Sequence, residues 1–427
     1  MAEARYIAPP IVVVGVLLLW LVLVRSLRWR RYNAIHSKYG PKWNNGQGII
    51  TPEEAQKIIH VAGLYDMPLL MNVALAFALF KTYGIPTISK LLAATKQLKS
   101  KETISRRYTD TEILIATWVS CPISGFLDLQ ASKEISEKGA DAKPADDPRA
   151  MIALARVNYL HSRYKISNDD YLYTLSLFIL EPMVWADRYA WRRLSPLEKE
   201  AGFIYWKEIG KRMGIREIPE TIPELSAWSK KYEEMYMVPA QTNRDIGDTT
   251  VDELLAAVPN VLGLKSLGRR IAICLMDDIV RESMMYEKQH AYLSWLVDAM
   301  LKTTAFVQRW LMLPAFSPRS VVALDPKPKR TKEGECPRLH PEKFAARPWY
   351  RPQPTGLGYL RDKLLVAAGW FTEMPGPHLK SEGYRLEELG PLKFEDRAHE
   401  EVMKSAAELQ GCPVAGPWSL EGRREKC

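Results

Sequence analysis

Three residues able to do chemistry fall close together in the run Ala155–Tyr164, ARVNYLHSRY: Arg156, His161 and Arg163. The chain has only seven histidines in 427 residues, and they are scattered. An imidazole near neutral pH can bind a metal or move a proton. If the run is helical, Leu154, Val157 and Tyr164 share the face of His161. Arg156 and Arg163 share a different face. An imidazole in an apolar groove is what a haem pocket needs, with a neutral nitrogen for iron. The arginines pair with propionates only if their side chains curl back to the haem edge. The same residues also read as a buried histidine bonded to a carbonyl, and the sequence leaves both readings open.

A second set lies upstream in Ser105–Glu112, SRRYTDTE. Arg107 and Thr111 are four apart and share a helix face, with Asp110 adjacent. Facing an iron, Arg107 could hydrogen-bond dioxygen and Thr111 could donate or relay a proton. Asp110 could act as base toward an allylic proton, provided burial keeps it poised. Read locally, the stretch is a helix start: Thr109 caps, while Asp110 and Glu112 offset the helix dipole.

The elements that must hold these residues are helices. Thr51-Pro-Glu-Glu reads as an N-cap, Pro at N1 and acids in the first turn. Met67–Leu79 is apolar apart from Asn72, too short to cross a bilayer, and reads as a core helix. Helices follow at Ile88–Leu98, Thr109–Val119, from Pro148 onward, Asp169–Ala190 with a kink at Pro182, Pro196–Met213 and Ile222–Met237. Others follow at Val251–Ala257, Ser266–Met285 and His290–Leu311, with a loop at Glu137–Pro148. Alternating Val/Ile/Thr runs are almost absent, so the expected fold class is all-α. From Pro314 the chain turns Pro- and basic-rich, and reads as an irregular extension with short helices such as Glu395–Gln410.

The N-terminus carries a separate message. Ile7–Val24 is uncharged and spans roughly 27 Å as a helix, enough for a thin bilayer. Arg25, Arg28, Arg30 and Arg31 follow it. The positive-inside rule puts the N-terminus in the lumen and the rest in the cytosol. The expected organisation is a lumenal tip, anchor and basic stop at 1–31, a polar linker at 32–52, a helical domain at 53–314, and the extension at 315–427.

Composition removes other classes. The net charge of +9 forms no basic stripe with interleaved aromatics, so nucleic acid is not an expected partner; a membrane surface is. Five widely spaced cysteines make neither a disulfide framework nor a zinc site. No H-E-x-x-H, G-x-S-x-G, P-loop or G-x-G-x-x-G is present. Asp146-Asp147 and Asp277-Asp278 do not match the D-D-x-x-D of prenyl synthases. Two rivals remain: a membrane-tethered prenyl or acyl transferase, for which His60…Asp66 is a near miss in spacing, and a non-enzymatic scaffold. His60 and His290 are alternative iron ligands; surface roles are expected for His36, His340, His378 and His399.

Arg156-Val-Asn-Tyr-Leu-His161 and Arg107-Tyr-Thr-Asp-Thr111, in that setting, resemble the motifs of the latex-clearing proteins, or rubber oxygenases. Tyr205–Gly214, YWKEIGKRMG, and the helix after it are similar too, and the resemblance covers roughly Glu53–Pro314. With its anchor, arginine-rich stop and long C-terminal extension, the whole chain looks like the fungal ER-bound oxygenases of the MpaB type. The resemblance implies haem b on His161, with Arg156 and Arg163 toward the cofactor and Arg107, Asp110 and Thr111 on the distal side. It implies dioxygen as co-substrate and scission of an isoprenoid C=C bond. The implied substrate is the farnesyl chain of a farnesyl-dihydroxy-methylphthalide in mycophenolic acid biosynthesis, left with a shortened, carbonyl-ended chain. It implies an ER location and a prenylated substrate drawn from the bilayer. One departure stands out: rubber oxygenases often carry Lys before the distal Thr, and here it is Asp110.

Overall fold

The computed structural model describes residues 9–44, 50–98, 101–123, 147–259, 261–324 and 338–420. Their regular structure is helical, as the apolar periodicity predicts, and β-pairing is limited to the isolated bridges Val322–Pro341 and Leu339–Tyr384. The lumenal tip, most of the Glu137–Pro148 loop and the basic run Asp325–Glu335 lie outside the described residues.

The first helix, α1 (Pro9–Arg28), is long and apolar enough to cross a membrane. Its apolar side chains face outward, Leu19 being 71% exposed. The stretch expected as a linker is instead helical: α2 spans Arg30–Asn44 and runs through Pro41. Tertiary contacts override its weak local pattern. Ile35 and Tyr39 are buried, and His36 Nε2 meets Ser195 Oγ at 2.8 Å.

The Thr51 signal holds as read. Thr51 Oγ1 accepts from Glu54 N, and Glu54 reaches back to Thr51 N, closing a capping box on α3 (Pro52–His60). A π-turn, Val61–Asp66, then turns the chain by 110° into α4 (Pro68–Thr82). The turn is fixed by charge. Arg192 is bonded to both Asp66 and Glu198, all three buried, tying it to the start of α9 (Pro196–Arg212). α4 is the expected core helix, burying Met71, Ala74 and Ala78 while Leu69 faces out.

The site-bearing helices are α6 (Lys101–Ser120) and α7 (Arg149–Ser162). Arg149 to Val157 of α7 are buried without a break, the mark of a central helix packed on all sides. Around them stand α5 (Pro86–Thr95), α8 (Asn168–Tyr189, continuous through Pro182), α10 (Ile222–Tyr236) and α11 (Gln241–Leu254). The run Ser266–Met285 breaks into α12 (Leu264–Cys274) and α13 (Asp278–Ser283), and α14 is Ala291–Trp310.

The C-terminal stretch is not an appendage. It holds α15 (Leu357–Ala367) and α16 (His399–Gln410), and α16 packs on α7. Tyr350, Tyr384, Leu389, Val402 and Ala406 share one core with α7. Its irregular turns are pinned by arginines: Arg149 Nη1 and Nη2 donate to the carbonyls of Ala323 and Leu324, at 2.5 and 3.0 Å. Such bonds leave no local period, so the stretch reads as loose in sequence although it is part of the core.

Candidate functional site

α6 begins well before Thr109, so that residue is no cap; its Oγ1 is buried without a partner. Arg107 and Thr111 therefore sit inside a continuous helix, one turn apart on one face. Arg107 Nη1 donates to Thr111 Oγ1 at 2.5 Å, and that hydroxyl spends its own proton on the Arg107 carbonyl at 2.7 Å. The threonine thus aims the guanidinium. α6 has two unlike sides. Ser105, Arg106, Thr109, Asp110, Ile113 and Leu114 are buried, whereas Arg107, Tyr108, Thr111 and Glu112 are only half-buried.

His161 lies at the last turn of α7, half-buried, with its Nδ1 buried and bonded to nothing. Burial pushes its pKa down to about 4, and the nearby Arg107 guanidinium adds to the effect. The ring is therefore neutral at physiological pH. The Tyr171 ring of α8 stands 5.7 Å away. Tyr83, at the end of α4, is also within the field of Arg107, and its hydroxyl is raised in pKa by burial. Hence Arg107, Thr111 and His161, singled out in the sequence, gather on one side of the α6–α7 pair.

The remaining histidines behave differently. His36, His60, His340, His378 and His399 all have ring hydrogen bonds, and His290 is exposed. His60 Nε2 meets the Val119 carbonyl at 2.7 Å, so that rival ligand is already engaged. Among the described residues, His161 alone of the histidines keeps a buried nitrogen unpartnered. Nor, among them, does any group of three or more His, Cys, Asp or Glu stand together to hold a metal ion.

The other three singled-out residues are placed elsewhere. Asp110 lies about 100° round α6 from Thr111 and is fully buried against the C-terminal stretch. Its Oδ1 accepts from Tyr350 Oη at 2.6 Å and its Oδ2 from Gly390 N at 3.0 Å. Burial raises its pKa against the opposing pull of Arg106. Arg156 is likewise fully buried. Its Nε, Nη1 and Nη2 donate to the carbonyls of Leu389, Arg397 and Phe394 at 2.8, 3.1 and 2.7 Å. Arg163 is at the surface, 3.5 Å from Glu401 of α16 and stacked on Tyr159.

Sequence reasoning missed Tyr83 and, in part, Glu112, and it took Tyr171 only as the start of the apolar run Tyr171–Leu180. Glu112 follows Thr111 on the half-buried side, and burial raises its carboxyl pKa with only Lys343 opposing. The reading of Glu112 as a dipole residue rested on a helix start at Thr109. The two tyrosines come from α4 and α8, too far along the chain for spacing to point to them.

Comparison with known proteins agrees with this architecture. Residues 142–309 match the family described as ER-bound oxygenase mpaB/B'/Rubber oxygenase, catalytic domain. That segment contains α7 and His161. The chain is 31% identical over 418 residues to the ER-bound oxygenase mpaB' of Penicillium brevicompactum, covering 93% of this chain and 92% of that one. It is 34% identical over 289 residues to the ER-bound oxygenase mpaB of Penicillium roqueforti, covering 64% and 89%. A third relative, the ER-bound oxygenase mpaB of Penicillium brevicompactum, is 34% identical over 259 residues, covering 57% and 60%. The likeness to mpaB' covers nearly the whole length of both chains, and the chain belongs to the ER-bound oxygenase mpaB/B' and rubber oxygenase family, enzymes of the oxygenase class.

Proposed function

We propose that this protein is a haem b-dependent oxygenase that uses dioxygen to cleave an isoprenoid C=C bond in a prenylated, membrane-partitioned small molecule. The observation that carries this reading is the buried, unpartnered Nδ1 of His161. A buried polar atom without a partner costs about 1–3 kcal/mol, so its retention favours a role for the ring. A single neutral imidazole, with no cluster of further ligands among the described residues, fits a metal whose other donors belong to a cofactor, as in haem. When bound, the haem supplies the dioxygen chemistry, and the protein supplies binding and orientation.

The chain's own groups divide the work. His161 presents a nitrogen that stays unprotonated down to about pH 4. Arg107 offers fixed N–H donors and a positive charge on the same side, held by Thr111. Thr111 cannot give its proton away while it bonds the Arg107 carbonyl, so it positions Arg107. Asp110 is committed to Tyr350 and Gly390, and Arg156 to three carbonyls. Glu112 is the half-buried carboxyl nearest Thr111 in sequence and stands as the proton-handling group in place of Asp110.

The family's ER-bound members and the basic residues after α1 support an ER membrane location. In this topology the N-terminus is lumenal and the helical body cytosolic. The farnesyl chain of a farnesyl-dihydroxy-methylphthalide is the substrate proposed, since an anchored enzyme meets such a chain in the bilayer. The purified full chain is expected to show a Soret band that His161→Ala abolishes while the helical circular-dichroism spectrum is kept. Incubated aerobically with a farnesylated phenol, the wild type should release a shortened, carbonyl-ended product. A colourless wild type, or a band that survives His161→Ala, overturns the proposal.

A further inference from the structure

Although α1 carries the obvious apolar surface, it is not alone. Trp20, deep in the apolar run, donates its indole N–H to the Leu311 carbonyl at 2.9 Å. Arg28 bonds the Met312 carbonyl, and Arg31 the carbonyls of Ala315 and Phe316 at 2.7 and 3.1 Å. The segment after α14 is thus stapled along the last turns of α1, and α14 itself packs on α1. The first charge after the apolar run is Arg25. At 1.5 Å per residue, Trp20 lies about 7 Å to the membrane side of it. Where α1 crosses a bilayer, the Leu311 end of α14 is therefore carried below the level of the first charge.

The surface of α14 suits that position. Trp295, Leu296, Met300 and Phe306 are exposed, Trp295 at 71% and Phe306 at 59%. Their spacing places them on one stripe of the helix. Leu293 and Val297 turn toward the protein, while Asp298, Lys302 and Arg309 occupy a separate sector. Leu311 and Phe316 extend the exposed stripe beyond the helix. A contiguous apolar stripe of this kind marks an interaction surface, whereas scattered exposed apolar residues do not.

We infer that the outer face of α14, with Leu311–Phe316, is a second membrane-binding element. It lies in the leaflet on the arginine-rich side of α1, so the helical body is partly embedded and not merely tethered. The occupant is lipid, because the stripe is continuous with α1, whose own occupant is lipid. An amphipathic helix lying in the interface buries its apolar face about 5–10 Å deep, which matches the offset set by Trp20. The inference rests on the anchor reading of α1.

The test uses the full chain in phosphatidylcholine vesicles, with the photo-crosslinker benzoyl-phenylalanine placed singly at four positions. These are Leu18 in α1, Trp295 and Phe306 in α14, and exposed Glu234 in α10. Mass spectrometry after irradiation should find lipid adducts at positions 18, 295 and 306 and none at 234. Adducts at 18 without adducts at 295 and 306 overturn the inference and leave the anchor standing. A second copy of the chain cross-linked at 295 or 306 also overturns it, in favour of self-association. Adducts at 295 and 306 without one at 18 keep the lipid-bound face and sink the anchor.

Discussion

Arg156 and His161 stand little more than one helical turn apart on α7, and the protein treats them in opposite ways. The guanidinium, fully buried, has its donors satisfied by three carbonyls of the C-terminal stretch. The imidazole, at the rim, is left with a buried nitrogen that nothing in the described protein satisfies. In the sequence the two look like one functional pair. In space one is a clamp that closes the fold, and the other is an imidazole with a ring nitrogen left unpartnered, the nitrogen on which the proposed function rests. The difference teaches that two chemically able residues on one helix can serve unlike ends: saturation ties Arg156 to architecture, whereas the unpartnered nitrogen of His161 leaves that ring open to another role.

The comparison can be broken from either side. The largest effect is expected at the clamp. Arg156→Met should cost about 3–5 kcal/mol in urea unfolding, because three buried carbonyls lose charge-assisted bonds at once. An unchanged midpoint would show that the C-terminal stretch does not depend on it.

The next effect belongs to the unpartnered imidazole and to pH. An unfolded histidine titrates near 6.5, whereas His161 is held near 4. Between these values the unfolded chain binds more protons than the folded one, so stability rises with pH across that window. The cofactor-free protein should lose this ring's contribution as pH falls from about 6.5 toward 4, with no further loss from the ring below. The contribution from this ring is at most about 3 kcal/mol, smaller in proportion to its partial exposure. Denaturation of wild type and His161→Gln at a series of pH values isolates it, since the variant lacks that part of the slope.

A smaller loss, about 1–2 kcal/mol, is expected for Tyr350→Phe, which removes a donor to buried Asp110 and leaves the Soret band in place. Should the band vanish while the fold survives, Asp110 would return to the chemistry. The smallest effect is reserved for Arg163→Ala. Its surface pair with Glu401 is worth less than about 1 kcal/mol, and cofactor content should not change. Loss of cofactor there would restore Arg163 to the site.

What the sequence made legible was whatever is written locally. The capping box at Thr51, the apolar run closed by arginines and the helical period of the core segments all follow from neighbours in the chain. The start of α6 was not legible, because nothing in Lys101–Arg107 resembles a core stripe; that shift moved Thr109 from cap to helix interior. The helical α2 was hidden for a similar reason, its stability resting on Ile35, His36 and Tyr39 meeting distant partners. The C-terminal stretch was least legible of all. Its order depends on arginines hundreds of positions away bonding bare carbonyls, and side-chain pattern carries no trace of that. In the site, the Arg107–Thr111 spacing and the lone His161 were readable, while Asp110, facing Tyr350 and Gly390, was readable only as a neighbour of Thr111.

The Arg156 clamp also has a consequence in time. Its acceptors at Leu389, Phe394 and Arg397 leave the ribosome 233 to 241 residues after the guanidinium itself. The central helix must wait with an unsatisfied buried charge until those carbonyls have been made, so its packing is completed long after its own synthesis.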